Sequence, residues 1–198
     1  MLGVLLHNLS GSAVADDEGR FSRDAFGSED PVLREDLTLR LDPLQPLRGG
    51  SYRFTAEGVP SGRITYLDRG RLRSPVLNRK YARRLGLAPT PIPFGMDALH
   101  FEGRAPLDRE AALAEAAGGA LILSVLGVHT QDFASGDFSL SAPQALALDG
   151  SPGGYAGRLR CTISGNLFEL LNDERTAFVD FPDEHVPGLL VHARLDPK

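Results

Sequence analysis

Five histidines (His7, His100, His129, His185 and His192), one cysteine (Cys161) and dispersed carboxylates are the groups here that could bind a metal or move a proton. Hydrolytic zinc takes three protein ligands and one water. A helix carrying His-Glu, three further residues and a second His supplies two imidazoles and a carboxylate that activates the water. His7 follows the apolar run Leu2-Gly3-Val4-Leu5-Leu6, but the next residue is Asn8 and the position five beyond His7 is Ser12. An amide accepts no proton near neutral pH, so Asn8 is no general base. Serine is a poor zinc ligand, and His7 alone cannot hold the ion. Geometry adds a constraint: residues five apart on a regular helix lie about 140° apart around its axis, so both could face one ion only across a bulge or break. Gly11 is the residue that would permit one.

Other combinations are weaker. His129, with Asp132 and Asp137, is the best remaining constellation, and it reads first as a polar loop between two strands. Ser164-Gly165-Asn166 lacks a Gly-x-Ser-x-Gly elbow and reads as a tight turn into a helix. Cys161 sits inside a strand-like run, where a single cysteine is buried and inert. Neither a phosphate-binding loop nor a dinucleotide fingerprint occurs.

The elements that must position these residues are short. Helical patterning covers residues 2–15, 108–117 and 167–172. The second of these opens on Asp108, an N-cap residue, and closes on Gly118-Gly119. Residues 36–41 alternate apolar and polar side chains and stop at Asp42-Pro43. Residues 62–67 and 71–77 flank Asp68-Arg69-Gly70, which predicts a β-hairpin. Strand-like runs continue at 120–128, 137–141, 145–148, 157–163 and 188–195. Parallel βαβ alternation is absent. The expected fold is α+β and β-rich, a mostly antiparallel sheet or barrel with a few short helices, residues 1–198 forming one domain. Residues 86–97, with Pro89, Pro91 and Pro93, read as a stiff surface connection.

A net charge of −5 argues against a nucleic-acid surface, and the basic cluster from Arg69 to Arg84 reads as a solvated face. No apolar run approaches the roughly 20 residues of a membrane span. Ala13-Val14-Ala15 has the form of a signal cleavage site, but no Lys or Arg precedes it and His7 and Asn8 interrupt the apolar run, so a secretory signal is set aside. The lone cysteine fits a reducing, cytoplasmic setting.

Several segments, in order, resemble the C-terminal half of the TldD/PmbA, or modulator-of-DNA-gyrase, family. They are Gly3-Val4-Leu5-Leu6-His7 with Ser10-Gly11-Ser12-Ala13-Val14, then Glu57-Gly58-Val59-Pro60, Ile64-Thr65-Tyr66-Leu67-Asp68-Arg69-Gly70 and Asn78 through Gly86. Ser135-Gly136-Asp137-Phe138, Thr162-Ile163-Ser164-Gly165-Asn166 and Pro187-Gly188-Leu189-Leu190-Val191 follow. The resemblance implies a metalloprotease or its partner subunit, preceded in the family by an N-terminal α/β domain that this chain lacks. The active branch resembles His-Glu-x-x-x-His plus a cysteine near the C-terminus. Here the motif positions are His7, Asn8 and Ser12, and no cysteine follows Asn172. The resemblance therefore implies a non-catalytic, PmbA/TldE-like partner of a TldD-type zinc protease acting on unfolded or extended peptides. No catalytic residue, metal or cofactor is expected, and the partner is a TldD-like subunit or a second copy. Two alternatives stand beside it: a zinc peptidase active alone with a site rebuilt from His7, His129 and Asp132, or a self-associating structural or binding protein.

Overall fold

The computed structural model describes residues 2–151, 154–181 and 188–197, which pack as two compact units, 1–103 and 104–198. Its sheets are antiparallel and its helices short, an α+β, β-rich fold.

In the first unit the sequence expects one helix and the structure has two, α1 (Leu2–Asn8) and α2 (Gly11–Asp16). A third, α3 (Arg79–Leu85), was not predicted, because Tyr81, Ala82 and Leu85 are too few to set up an apolar period. Its caps are nonetheless written in the sequence: the Asn78 side chain accepts from Tyr81 N, and Gly86 closes the helix at φ 69°. Helices α2 and α3 pack together through Val14, Leu77, Ala82 and Leu85, with Tyr81 and Phe26 at the margin.

Four strands form the sheet of this unit in the order β3-β2-β1-β4: β1 (Thr38–Leu41), β2 (Ile64–Asp68), β3 (Arg71–Leu72) and β4 (Leu99–Glu102). The predicted hairpin is present, with Leu67 opposite Leu72 and Asp68 opposite Arg71. Its two turn residues, Arg69 (φ 48°) and Gly70 (φ 74°), are both left-handed, the primed-turn geometry that matches strand twist. Gly70 is obligatory for a second reason: a Cβ there would lie 2.2 Å from the Leu33 carbonyl oxygen.

The proline-rich stretch is no free surface connection. Thr90 N donates to the Leu77 carbonyl (2.9 Å), while Leu77 N donates to Thr90 Oγ1 (2.8 Å). One turn of polyproline further, Tyr66 Oη donates to the Pro91 carbonyl (2.6 Å) and Ile92 N donates to Tyr52 Oη (2.9 Å). Burial pushes both phenols above the usual tyrosine range, Tyr66 the further. Prolines remove donors, so the segment is tied through the residues between them.

The second unit holds a sheet ordered β10-β7-β6-β5 and a short hairpin, β8 (Ala177–Val179) with β9 (Gly188–Leu190). The sheet strands are β5 (Ala120–Leu126), β6 (Asp137–Leu148), β7 (Tyr155–Asn166) and β10 (Arg194–Pro197). Two predicted strands, 137–141 and 145–148, are one: β6 runs through Pro143, and its register against β7 shifts between Ala142 and Ala145. A bulge is where a strand tolerates proline. The run 188–195, read as one strand, is instead β9 and β10. Ala142, Ala145 and Cys161 form the sheet's buried cluster, and Cys161 is a free, buried thiol as expected. Helix α4 (Arg109–Glu115) is capped by Asp108, whose side chain accepts from Ala111 N. Helix α5 (Leu167–Asn172) buries Leu167, Phe168, Leu170 and Leu171.

Candidate functional site

The helix pair α1–α2 is where the sequence places the degenerate metal motif. The chain breaks at Leu9-Ser10, and three contacts hold it broken. Gly11 N donates to the Val76 carbonyl (2.9 Å), Val76 N donates to the Leu9 carbonyl (2.7 Å), and Ser10 forms a parallel bridge with Val76. Leu9 is fully buried at this point. Gly11 serves the break through closeness and not through an unusual φ. A Cβ on it would lie 2.6 Å from Tyr81 Cβ and 2.8 Å from Leu77 Cδ2, so only glycine lets α2 start this close to α3.

The three motif positions have separate fates. His7 sits half-buried in the last turn of α1, and its carbonyl accepts from Ser10 N (2.9 Å). Asn8 has no exposed surface. Its Nδ2 donates to the Val4 carbonyl one turn back (2.9 Å), and its Oδ1 accepts from Arg20 N (2.6 Å). The amide therefore ties the segment after α2 back onto α1, using one donor and one acceptor that no carboxylate could supply together when ionised. Ser12 Oγ lies 3.0 Å from Ser10 Oγ, and Ser10 Oγ in turn accepts from Ala13 N (3.3 Å) as the cap of α2. Sequence inspection alone missed this capping role, although a Ser just before a helical run is its ordinary signal.

These residues do not fit zinc. The donor set has one imidazole, a buried amide engaged at both ends and a hydroxyl hydrogen-bonded at the helix cap. Among the described residues no three His, Cys, Asp or Glu side chains gather in a metal-binding group.

His129 and Asp132 lie in the second unit, between β5 and β6. His129 is exposed in a 3-10 turn, Val128–Thr130. Asp132 Oδ1 accepts from Ala134 N (2.9 Å) and Ser135 N (3.0 Å), and Asp132 N donates to the Asp137 carbonyl (2.9 Å). Asp137 is held below the usual carboxylate range by the Asn166 amide (2.8 Å) and the Ser135 hydroxyl (2.9 Å). Asn166 does not form the predicted turn: it is the last residue of β7, opposite Asp137, and its Oδ1 caps α5 by accepting from Phe168 N and Glu169 N. The 127–137 segment is thus the polar interstrand loop that the sequence suggested, its carboxylates engaged in turn and cap bonds. His100 Nε2 lies 2.9 Å from Gln45 Nε2, and His185 falls outside the described residues.

The basic cluster is largely neutralised. Arg73 meets Glu29 (2.8 Å) and Asp68 (3.3 Å), Arg71 meets Glu35 (3.2 Å), and Arg84 meets Asp16 (2.5 Å). Arg73 also holds the Glu29 carboxyl below its ordinary range. No helix among the described residues is long and apolar enough to cross a membrane.

A broken helix pair beside a four-stranded antiparallel sheet, followed by a second unit built on long β-ribbons, is the fold of a group of solved proteins tied to DNA gyrase modulation and to TldE. One is a candidate modulator of DNA gyrase from Bacteroides thetaiotaomicron VPI-5482, with TM-score 0.75 and 21% identity over 98% of this chain and 43% of that one. Another, from Thermotoga maritima MSB8, gives TM-score 0.70 and 26% identity over 96% and 45%. TldE from Thermococcus kodakarensis gives 0.66 and 20% over 98% and 45%. The chain spans less than half the length of each. The model of the PmbA/TldA metallopeptidase C-terminal domain matches residues 1–191, and the chain belongs to that family. No curated protein matches it.

Proposed function

We propose that this chain is a non-catalytic, TldE/PmbA-like partner subunit of a TldD-type zinc metalloprotease that acts on unfolded or extended peptides. The observation that carries this reading is Asn8. At the position where the family's active branch has its glutamate, this chain has a fully buried amide that closes a backbone tie between Val4 and Arg20. Ser12, at the second histidine position, is hydrogen-bonded at the α2 cap. Helix α1–α2 keeps the break that a five-residue ligand spacing requires, while the groups on it serve packing. Such a subunit supplies fold and surface to a complex whose zinc and general base come from the other chain. The likeness to TldE supports the same assignment by fold.

The experiment is metal analysis, a peptidase assay and an association assay on one preparation. The chain alone is expected to carry no stoichiometric zinc and to cleave no extended peptide, with activity appearing when a zinc-bearing TldD-like subunit is added. Failure of the two to associate, or zinc bound through His7, overturns the reading.

A further inference from the structure

The two four-stranded sheets have four edges, and three of them are guarded. Edge strand β3 is two residues long and begins with Arg71; β4 carries His100 and Glu102; β10 is Arg194-Leu195-Asp196-Pro197. Short length, charge and proline are the devices that keep an edge from pairing with another chain. The fourth edge, β5, has none of them. It is Ala120-Leu121-Ile122-Leu123-Ser124-Val125-Leu126, seven residues without a charge or a proline, about 24 Å of strand. Among the described residues it is paired on one side only, by β6. None of its residues is buried, Leu123 is 59% exposed, Leu126 61%, and Val128 just beyond it 45%. Its register against β6 is irregular between Ile122 and Ser124, where Leu123 is presented to solvent.

We infer that β5 is a self-association edge, pairing antiparallel with β5 of a second copy of this chain about a two-fold axis at Leu123. An unpaired edge offers a row of backbone N–H and C=O groups, which only another extended strand can satisfy along its whole length. A second copy fits that requirement best. The edge is uncharged, so two copies meet there without the repulsion that a net charge of −5 imposes elsewhere. In the register centred on Leu123, small or short side chains face long ones: Ala120 opposes Leu126, Ile122 opposes Ser124, Leu121 opposes Val125, and Leu123 meets its own copy. A symmetric contact of this kind closes as a dimer and joins two four-stranded sheets into one of eight strands. This inference is read from the chain alone and does not depend on the zinc-bearing partner.

The test is sedimentation equilibrium of the full chain beside L123K and L123E, each checked for unchanged circular dichroism. Wild type is expected to be a dimer. Each variant alone places like charges face to face and should dissociate roughly tenfold or more readily, whereas an equimolar mixture of the two should recover the dimer. L126K, on an equally exposed side chain, should weaken the dimer without mutual rescue by L123E, since the two positions are not opposite one another in this register. A monomeric wild type, an undisturbed L123K dimer, or loss of association with a TldD-like subunit while the chain alone stays monomeric overturns the inference. Because the proposed subunit role is read from zinc content and added-subunit activity, its failure is separately visible.

Discussion

The break between α1 and α2 and the exposed edge of β5 show opposite ways of handling polar backbone. At the break, two helix ends and an interruption would normally leave several N–H and C=O groups unpaired. Here Val76, Asn8 and Ser10 take up that load, and the surrounding Leu5, Leu9 and Val14 are buried. At β5 the outward backbone groups have no described partner, and the flanking leucines face solvent. The contrast shows where selection has fixed the structure within the chain and where it has left pairing to something outside. A helix that once had reason to be broken for a metal keeps its break because packing against α3 now depends on it.

Four substitutions sharpen this contrast. Asn8→Asp should be the most damaging: it removes the donor to Val4 and sets a buried carboxylate against a carbonyl oxygen, costing about 3 kcal/mol in chemical unfolding. A loss under about 0.5 kcal/mol, the usual range for a surface change, would mean that the buried tie is unimportant. Gly11→Ala forces a methyl to within 3 Å of Tyr81 and Leu77, and an overpacking cost of about 2 kcal/mol is expected by thermal melting. If it is neutral, the helix pair has room that the close approach denies. Ser10→Ala removes the α2 cap for about 1 kcal/mol, and Ser12 should not replace it. Asp137→Asn has the smallest effect and belongs to the contrasting, exposed region. Because Asn166 and Ser135 lower its folded pKa, the Asp137 carboxylate contributes stability above its unfolded value, near 3.8, and loses that contribution as pH falls through the folded value. The substitution should therefore flatten the acid limb of the stability profile below about pH 4 and leave neutral pH nearly unchanged.

Much of the fold was legible in the chain. Asp108, Asp68-Arg69-Gly70 and the Leu167 run marked α4, the hairpin and α5 because capping, turn chemistry and apolar spacing are local properties. Helix α3 escaped because its stability comes from packing on α2 and from caps at Asn78 and Gly86 rather than from a strong apolar period. Strand β6 was cut in two at Pro143 because a bulge that accommodates proline depends on the register of β7, which no local pattern reveals. At the candidate site the identities of His7, Asn8 and Ser12 were plain. What they touch was not: the Asn8 bond to Arg20 spans twelve residues, and the contact that makes Gly11 necessary comes from Tyr81 on another helix.

The most direct test of the central claim, that the motif helix has exchanged metal chemistry for packing, is the zinc stoichiometry of the purified chain after exposure to excess zinc and extensive dialysis. Less than one tenth of an equivalent, on the order of adventitious background, is the predicted result, unchanged by His7→Ala. One tightly held zinc per chain, lost in His7→Ala, would contradict it.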